Sequence, residues 1–121
     1  MIAIEKLLLL KSVSFFKEMP DDLLLHVASS LLHEQIITPG EKILQTESRN
    51  SMMCVIASGT VRVHDEQDHT IKELGPRETF GELSAQTTQS PVSHISAVTE
   101  CLLLTIRNDA LYDLMGLDSE L

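Results

Sequence analysis

Between Phe80 and Val98 the chain reads FGELSAQTTQSPVSHISAV. Gly81 frees the backbone for a sharp bend, and the carboxylate of Glu82 follows at once. A short helix starting at Glu82 would leave its first N–H groups without helical partners, aimed at an anion. Glu82 is itself an acceptor, suited to a sugar hydroxyl. A phosphate cradle normally closes on a cation, because a guanidinium gives phosphate two charge-assisted bonds. Here no Lys or Arg lies between Phe80 and Val98, and the far end reads Ser90-Pro91-Val92. Taken alone, Phe80-Gly81-Glu82-Leu83 also fits a plain glycine corner between a strand and a short helix.

Other chemistry is sparsely supplied. No Gly-x-Ser-x-Gly occurs, and no two carboxylates are singled out for acid–base work. Cys54 and Cys101 sit far apart in apolar runs, so buried, reduced thiols are expected, and no Cys-x-x-Cys or Cys/His spacing suggests zinc. His64 and His69 flank an acidic hairpin tip and could bind a metal with Asp65 or Asp68. A solvated tip is the expectation, and no catalytic residue, metal centre or definite cofactor is assigned. His26 and His33 lie on or near a helix without an acidic partner pattern. Arg77 and His94, on either side of the candidate cradle, are expected to face solvent.

Whatever the cradle does, a small scaffold must hold it. The 121 residues suit one domain with a real core. The chain is 43% hydrophobic but only 3% aromatic, so that core must be aliphatic. Nine basic against 18 acidic residues give a net charge of −9. That argues against a nucleic-acid surface, which needs clustered Lys and Arg, and against anionic lipid. The four-Leu run Leu7 to Leu10 is too short for a membrane span, and no small-residue cleavage site follows it. A cytoplasmic protein, or a cytoplasmic domain of a membrane protein, is expected.

Apolar positions from Ile2 to Val13 predict a helix with more apolar faces than one core needs. Leu7, Leu8, Leu9 and Leu10 are therefore candidates for contact with a partner, an attached domain or a second copy. Met19-Pro20-Asp21-Asp22 predicts a helix start, with apolar residues at three- and four-residue spacing through Leu31. Short strands follow at Gln35–Ile37, Lys42–Gln45, Met52–Ala57, Val61–His64, Thr70–Leu74, Ile95–Val98 and Leu102–Ile106. They are punctuated by turns such as Thr38-Pro39-Gly40-Glu41. Asn108 begins a closing helix. The order predicts a mainly β domain of about eight short strands, an antiparallel roll or barrel with flanking helices. Residues 1–32 would form the N-terminal helices, 33–107 the roll and 108–121 the short C-terminal helix.

Several stretches resemble the cyclic nucleotide-binding domain family, over nearly the whole chain. Thr38-Pro39-Gly40-Glu41-Lys42-Ile43 resembles its first turn, MMCVIASGTVRV (Met52 to Val63) its central hairpin, and Leu104-Thr105-Ile106 with Asp109-Ala110-Leu111 its last strand and following helix. Phe15-Phe16 and Met19-Pro20 resemble its N-terminal segment. The resemblance implies an eight-stranded antiparallel, jelly-roll-like β-roll whose phosphate-binding cassette lies between two strands. Phe80, Gly81, Glu82 and Leu83 match the cassette's Phe-Gly-Glu-Leu. Glu82 would accept from the ribose 2′-hydroxyl, and backbone N–H groups near Leu83 and Ser84 would hold the cyclic phosphate. The family's arginine position falls on Pro91, or on Val92 after a one-residue shift, with Ser93 at a small phosphate-facing position. The resemblance thus implies a degenerate cassette.

The expected function is a non-enzymatic regulatory or sensor domain, with weak or no binding of cyclic AMP and cyclic GMP. A cyclic nucleotide or another small ligand is the candidate occupant. Two alternatives stand beside it: a degenerate roll used as a protein–protein interaction or dimerisation module, and the effector domain of a transcription regulator lacking its helix-turn-helix. The chain ends at Leu121, just past the closing helix, so any lid over the nucleotide base is expected to be short or absent and the domain to belong to a longer protein.

Overall fold

The computed structural model describes residues 1–14, 16–44, 52–65, 67–81 and 94–114. Helix α1 (Ala3–Lys11) opens the chain, its first turn closed by the Ile2 N–H donating to Glu5 Oε1 at 3.1 Å. Leu10 is fully buried, Leu7 and Leu9 pack partly against the core, and Leu8 is 62% exposed. The four leucines therefore do not form one open face. The exposed apolar side here consists of Ile4 and Leu8 of α1 with Ile2 just before it.

Helix α2 (Asp21–His26) begins where Pro20 ends the preceding turn, with Asp21 and Asp22 favourably placed at its positive end. The spacing predicted one helix through Leu31. Instead, Val27–Leu31 widens into a π-helical turn, in which the Leu32 N–H donates to the Val27 carbonyl at 3.0 Å. Within this turn Ser29 Oγ donates back to the Leu25 carbonyl at 2.7 Å, and such back-bonding competes with the helical ladder.

Among the described residues eight strands follow: β1 (His33–Ile37), β2 (Lys42–Leu44), β3 (Met52–Ser58), β4 (Val61–His64), β5 (Thr70–Leu74), β6 (Thr79–Phe80), β7 (His94–Ala97) and β8 (Cys101–Arg107). Helix α3 (Asn108–Leu114) closes the described chain. The strands form two four-stranded sheets, ordered β1-β8-β3-β6 and β2-β7-β4-β5, with every pairing antiparallel. This is the β-roll with flanking helices that the sequence predicts. Two-residue β6, between Leu74 and the cradle, is the strand without a sequence signal of its own. Among the described residues no helix is long and apolar enough to cross a membrane.

The two strands β3 and β8 form a wall with a core on each side. Met53, Val55, Leu104 and Ile106 face the helices, packing with Leu10, Phe16, Leu24 and Val27. Cys54, Ile56, Cys101 and Leu103 alternate to the roll interior, with Val61, Val63, Ile95 and Phe80. Double-sided burial explains why both strands read as unbroken apolar runs. Burying each Leu or Ile contributes about 1.5–3 kcal/mol. The turn after β1 is set by Gly40 at φ +87°, with the Glu41 N–H donating to the Thr38 carbonyl at 3.0 Å.

Candidate functional site

The candidate loop leaves one sheet at Phe80 and enters the other at His94. Its departure point is held firmly. The turn before β6 is closed by the Glu78 N–H donating to the Gly75 carbonyl (3.1 Å) and the Gly75 N–H donating to Glu78 Oε1 (2.7 Å). That turn is fastened to β3 in both directions. Arg77 N–H donates to the Ile56 carbonyl at 2.8 Å, and Ile56 N–H donates to the Glu78 carbonyl at 3.0 Å. The Arg77 backbone is left-handed (φ +73°) and the residue is exposed, as expected from the sequence.

Phe80 is paired with Cys54 and points into the roll, 6% exposed. Gly81 then turns the chain at φ +79°, a conformation that favours glycine. Its carbonyl accepts a hydrogen bond from Asn108 Nδ2 at 3.2 Å. Asn108 is fully buried and is the first residue of α3. The corner that opens the candidate cradle is thereby tied to the closing helix. In sequence, Asn108 announces only a helix start; nothing there reveals that its side chain crosses to a loop 27 residues earlier. Glu82, Leu83, Ser84, Pro91, Val92 and Ser93 lie outside the described residues.

At the far end, His94 departs from the solvent-facing position expected of it. It is 8% exposed, and its ring stacks on that of His64 with centroids 4.4 Å apart. At the β4–β5 hairpin, Asp65 Oδ1 accepts from the Gln67 and His69 N–H groups, each at 2.9 Å. These bonds, His69 foremost, hold the Asp65 carboxyl below the usual carboxylate range. Asp65 is thus engaged in the turn, and His69 is a largely exposed side chain beside it. Both cysteines are free and buried. Burial pushes the Cys54 thiol up to about 12, which leaves it un-ionised and unreactive at neutral pH. Cys101 Sγ lies 3.3 Å from the Thr60 and Thr99 carbonyls, as a weak donor.

The sequence model of the cyclic nucleotide-binding domain matches residues 34–118. Among solved structures, the chain is similar to the regulatory domain of Toxoplasma gondii PKA, crystallised with cAMP (TM-score 0.78, 18% identity, 94% of this chain and 45% of that one). It is similar to the regulatory subunit of a cAMP-independent protein kinase A from Trypanosoma brucei (TM-score 0.74, 20% identity, 94% and 44%). That structure is of a mutant with three substitutions, one introducing an arginine, bound to cAMP in the A site. It is also similar to the sensor domain of the transcriptional regulator DNR from Pseudomonas aeruginosa (TM-score 0.75, 20% identity, 91% and 80%). The chain spans less than half the length of the two kinase regulatory chains.

Proposed function

Because the chain belongs to the cyclic nucleotide-binding domain family, we propose that it is a non-enzymatic regulatory domain that binds cyclic AMP and cyclic GMP weakly or not at all. The observation carrying this reading is the absence of any Lys or Arg from Phe80 to Val98, with Pro91-Val92 where the family's arginine is expected. A guanidinium contributes charge-assisted bonds of about 1.5–3 kcal/mol each, so its loss alone costs about a hundredfold in affinity or more. Pro91 also removes a backbone donor. The two basic side chains nearest in sequence are placed elsewhere: Arg77 is exposed, and His94 is stacked on His64. The Trypanosoma protein gives the reading a parallel, since its cAMP-bound form carries an added arginine.

The retained Phe-Gly-Glu sequence, Phe80 to Glu82, without the arginine favours a small ligand less anionic than a cyclic nucleotide, or none. Coupling would run through Asn108. A ligand preferring one position of the Gly81 corner would bias the start of α3, and only such a preference can shift an equilibrium. A second reading, an interaction or dimerisation module, is favoured by the exposed Ile2, Ile4 and Leu8 at the N-terminal end of the chain.

Isothermal titration calorimetry with cyclic AMP and cyclic GMP tests the first reading. The unmodified domain should show no submicromolar binding. Pro91→Arg or Val92→Arg should tighten binding by roughly a hundredfold, and Glu82→Ala should abolish the gain. Submicromolar binding by the unmodified domain would overturn the proposal.

A further inference from the structure

His64 and His94 are exact cross-strand partners in the β4–β7 register. Val61, Val63, Ile95 and Ala97 line the roll interior, so the alternating residues His64, His94 and Ser96 stand on the opposite, outer face of this sheet. Asp68 brings its carboxylate to a nitrogen of each ring. Its Oδ1 lies 3.6 Å from His64 Nδ1 and 3.3 Å from His94 Nε2, and the donor atoms of the three residues all lie within 4.8 Å of one another.

The position of Asp68 is set by its backbone. The residue is left-handed at φ +69°, and its N–H donates to the Asp65 carbonyl at 3.0 Å. Asp65 secures the same turn, and among the described residues of the tip it is Asp68 whose carboxylate approaches the two imidazoles. His64 Nε2 lies 2.8 Å from Ser96 Oγ. In the tautomer that donates Nε2–H to this hydroxyl, Nδ1 presents its lone pair toward Asp68. A hydrogen bond of this kind orients a metal-ligating histidine from behind.

We propose that His64, Asp68 and His94 form a binding site for a divalent transition metal of the zinc class. Zinc bonds of about 2.0–2.1 Å in tetrahedral geometry separate ligand atoms by about 3.3–3.4 Å. His94 Nε2 lies at that separation from Asp68 Oδ1, and His64 Nδ1 somewhat beyond it. Because the rings stack at 15°, ligation requires them to turn until both lone pairs converge on the metal. Two imidazoles and one carboxylate are the donor set of zinc and its neighbours, whereas calcium and magnesium require mostly oxygen. The three residues leave a coordination position for water or another donor. A chain of net charge −9 also favours cation capture. The site lies outside the roll and is independent of the nucleotide reading. The sequence sets His64 and His69 at a tip expected to be solvated; the fold brings His94, not His69, beside His64.

The test is titration of the whole chain with Zn²⁺ by chelator competition, with Co²⁺ absorption reporting the ligand field. One equivalent should bind at micromolar concentration or tighter. Asp68→Asn and His94→Gln should each weaken binding at least about tenfold, while His69→Ala leaves it unchanged. Far-UV circular dichroism checks that each variant is folded. If His94→Gln fails to fold, Asp68→Asn carries the test, since its side chain is exposed and Asn tolerates the left-handed backbone. No binding, binding indifferent to Asp68→Asn, or binding lost equally in His69→Ala would overturn the assignment.

Discussion

Replacing Gly59 by Ala should be far more damaging than making the same change at Gly40. Both glycines are left-handed, at φ +96° and +87°. A non-glycine residue there costs about 1–3 kcal/mol in backbone strain, offset by about 0.4–1 kcal/mol from a less flexible unfolded chain. These terms are nearly common to the two sites. The surroundings are not. A Cβ at Gly40 meets nothing within 4 Å. A Cβ at Gly59 would lie 2.5 Å from the Glu100 carbonyl oxygen, 2.7 Å from Cys101 Sγ and 2.8 Å from Cys101 Cα. Two of these atoms belong to backbone entering β8, a strand paired on both sides, so relief requires the wall itself to shift. Overpacking of this kind costs about 1–3 kcal/mol. The difference between Gly59→Ala and Gly40→Ala should therefore be about 1–3 kcal/mol, against a total stability on the order of 5–15 kcal/mol. Urea unfolding followed by circular dichroism, with unchanged slope, measures it. If the two variants fall within about 0.5 kcal/mol of each other, the close approach of Gly59 to β8 is not what requires glycine there.

Two further outcomes follow from side chains at the start of α3. Asn108→Ala should lower unfolding free energy by about 1–3 kcal/mol, since it leaves the Gly81 carbonyl without this donor; equal stability in urea would show that the corner does not depend on Asn108. The hydrogen bonds from Arg107, Nε at 3.0 Å and Nη2 at 2.6 Å, hold the Asp109 carboxyl below its ordinary value. A depressed folded value stabilises above the unfolded carboxylate range and is lost as pH falls through the folded value. Arg107→Ala should thus differ from the unmodified chain near neutral pH and converge with it in acid; a stability gap that persists in strong acid would contradict this.

The sequence disclosed those parts of the fold in which local pattern and tertiary placement agree. Met52–Ala57 and Leu102–Ile106 read as strands because each is apolar on both faces, and they fill two cores. Val61–His64 read as half-exposed because it alternates, and it does. β6 was illegible because two residues carry no periodicity, and its place is set by the clamped Gly75–Glu78 turn. The widened turn at Val27–Leu31 was hidden because apolar spacing of three and four survives it. At the candidate cradle, Phe80 and Gly81 were legible from residue type alone. The Asn108 tether and the His64–His94 pair were not, since both depend on contacts across some 30 residues of chain.

The double-faced wall of β3 and β8 raises a problem of alignment during folding. In a sheet with one wet face, a slip of one residue turns apolar side chains into water and is rejected at once. Here a one-residue slip would exchange Met53 and Val55 for Cys54 and Ile56 and still bury them all, so hydrophobicity discriminates weakly between pairings. What marks the correct pairing is the irregularity at its end. The register shifts between Ile56 and Ser58, and a Cβ on Gly59 would then lie 2.7 Å from Cys101 Sγ and 2.8 Å from its Cα, closer than a side chain fits without displacing the strand. Gly59 thus acts as an alignment mark for the whole wall, and its replacement should favour misaligned, slowly correcting states as well as a less stable native one.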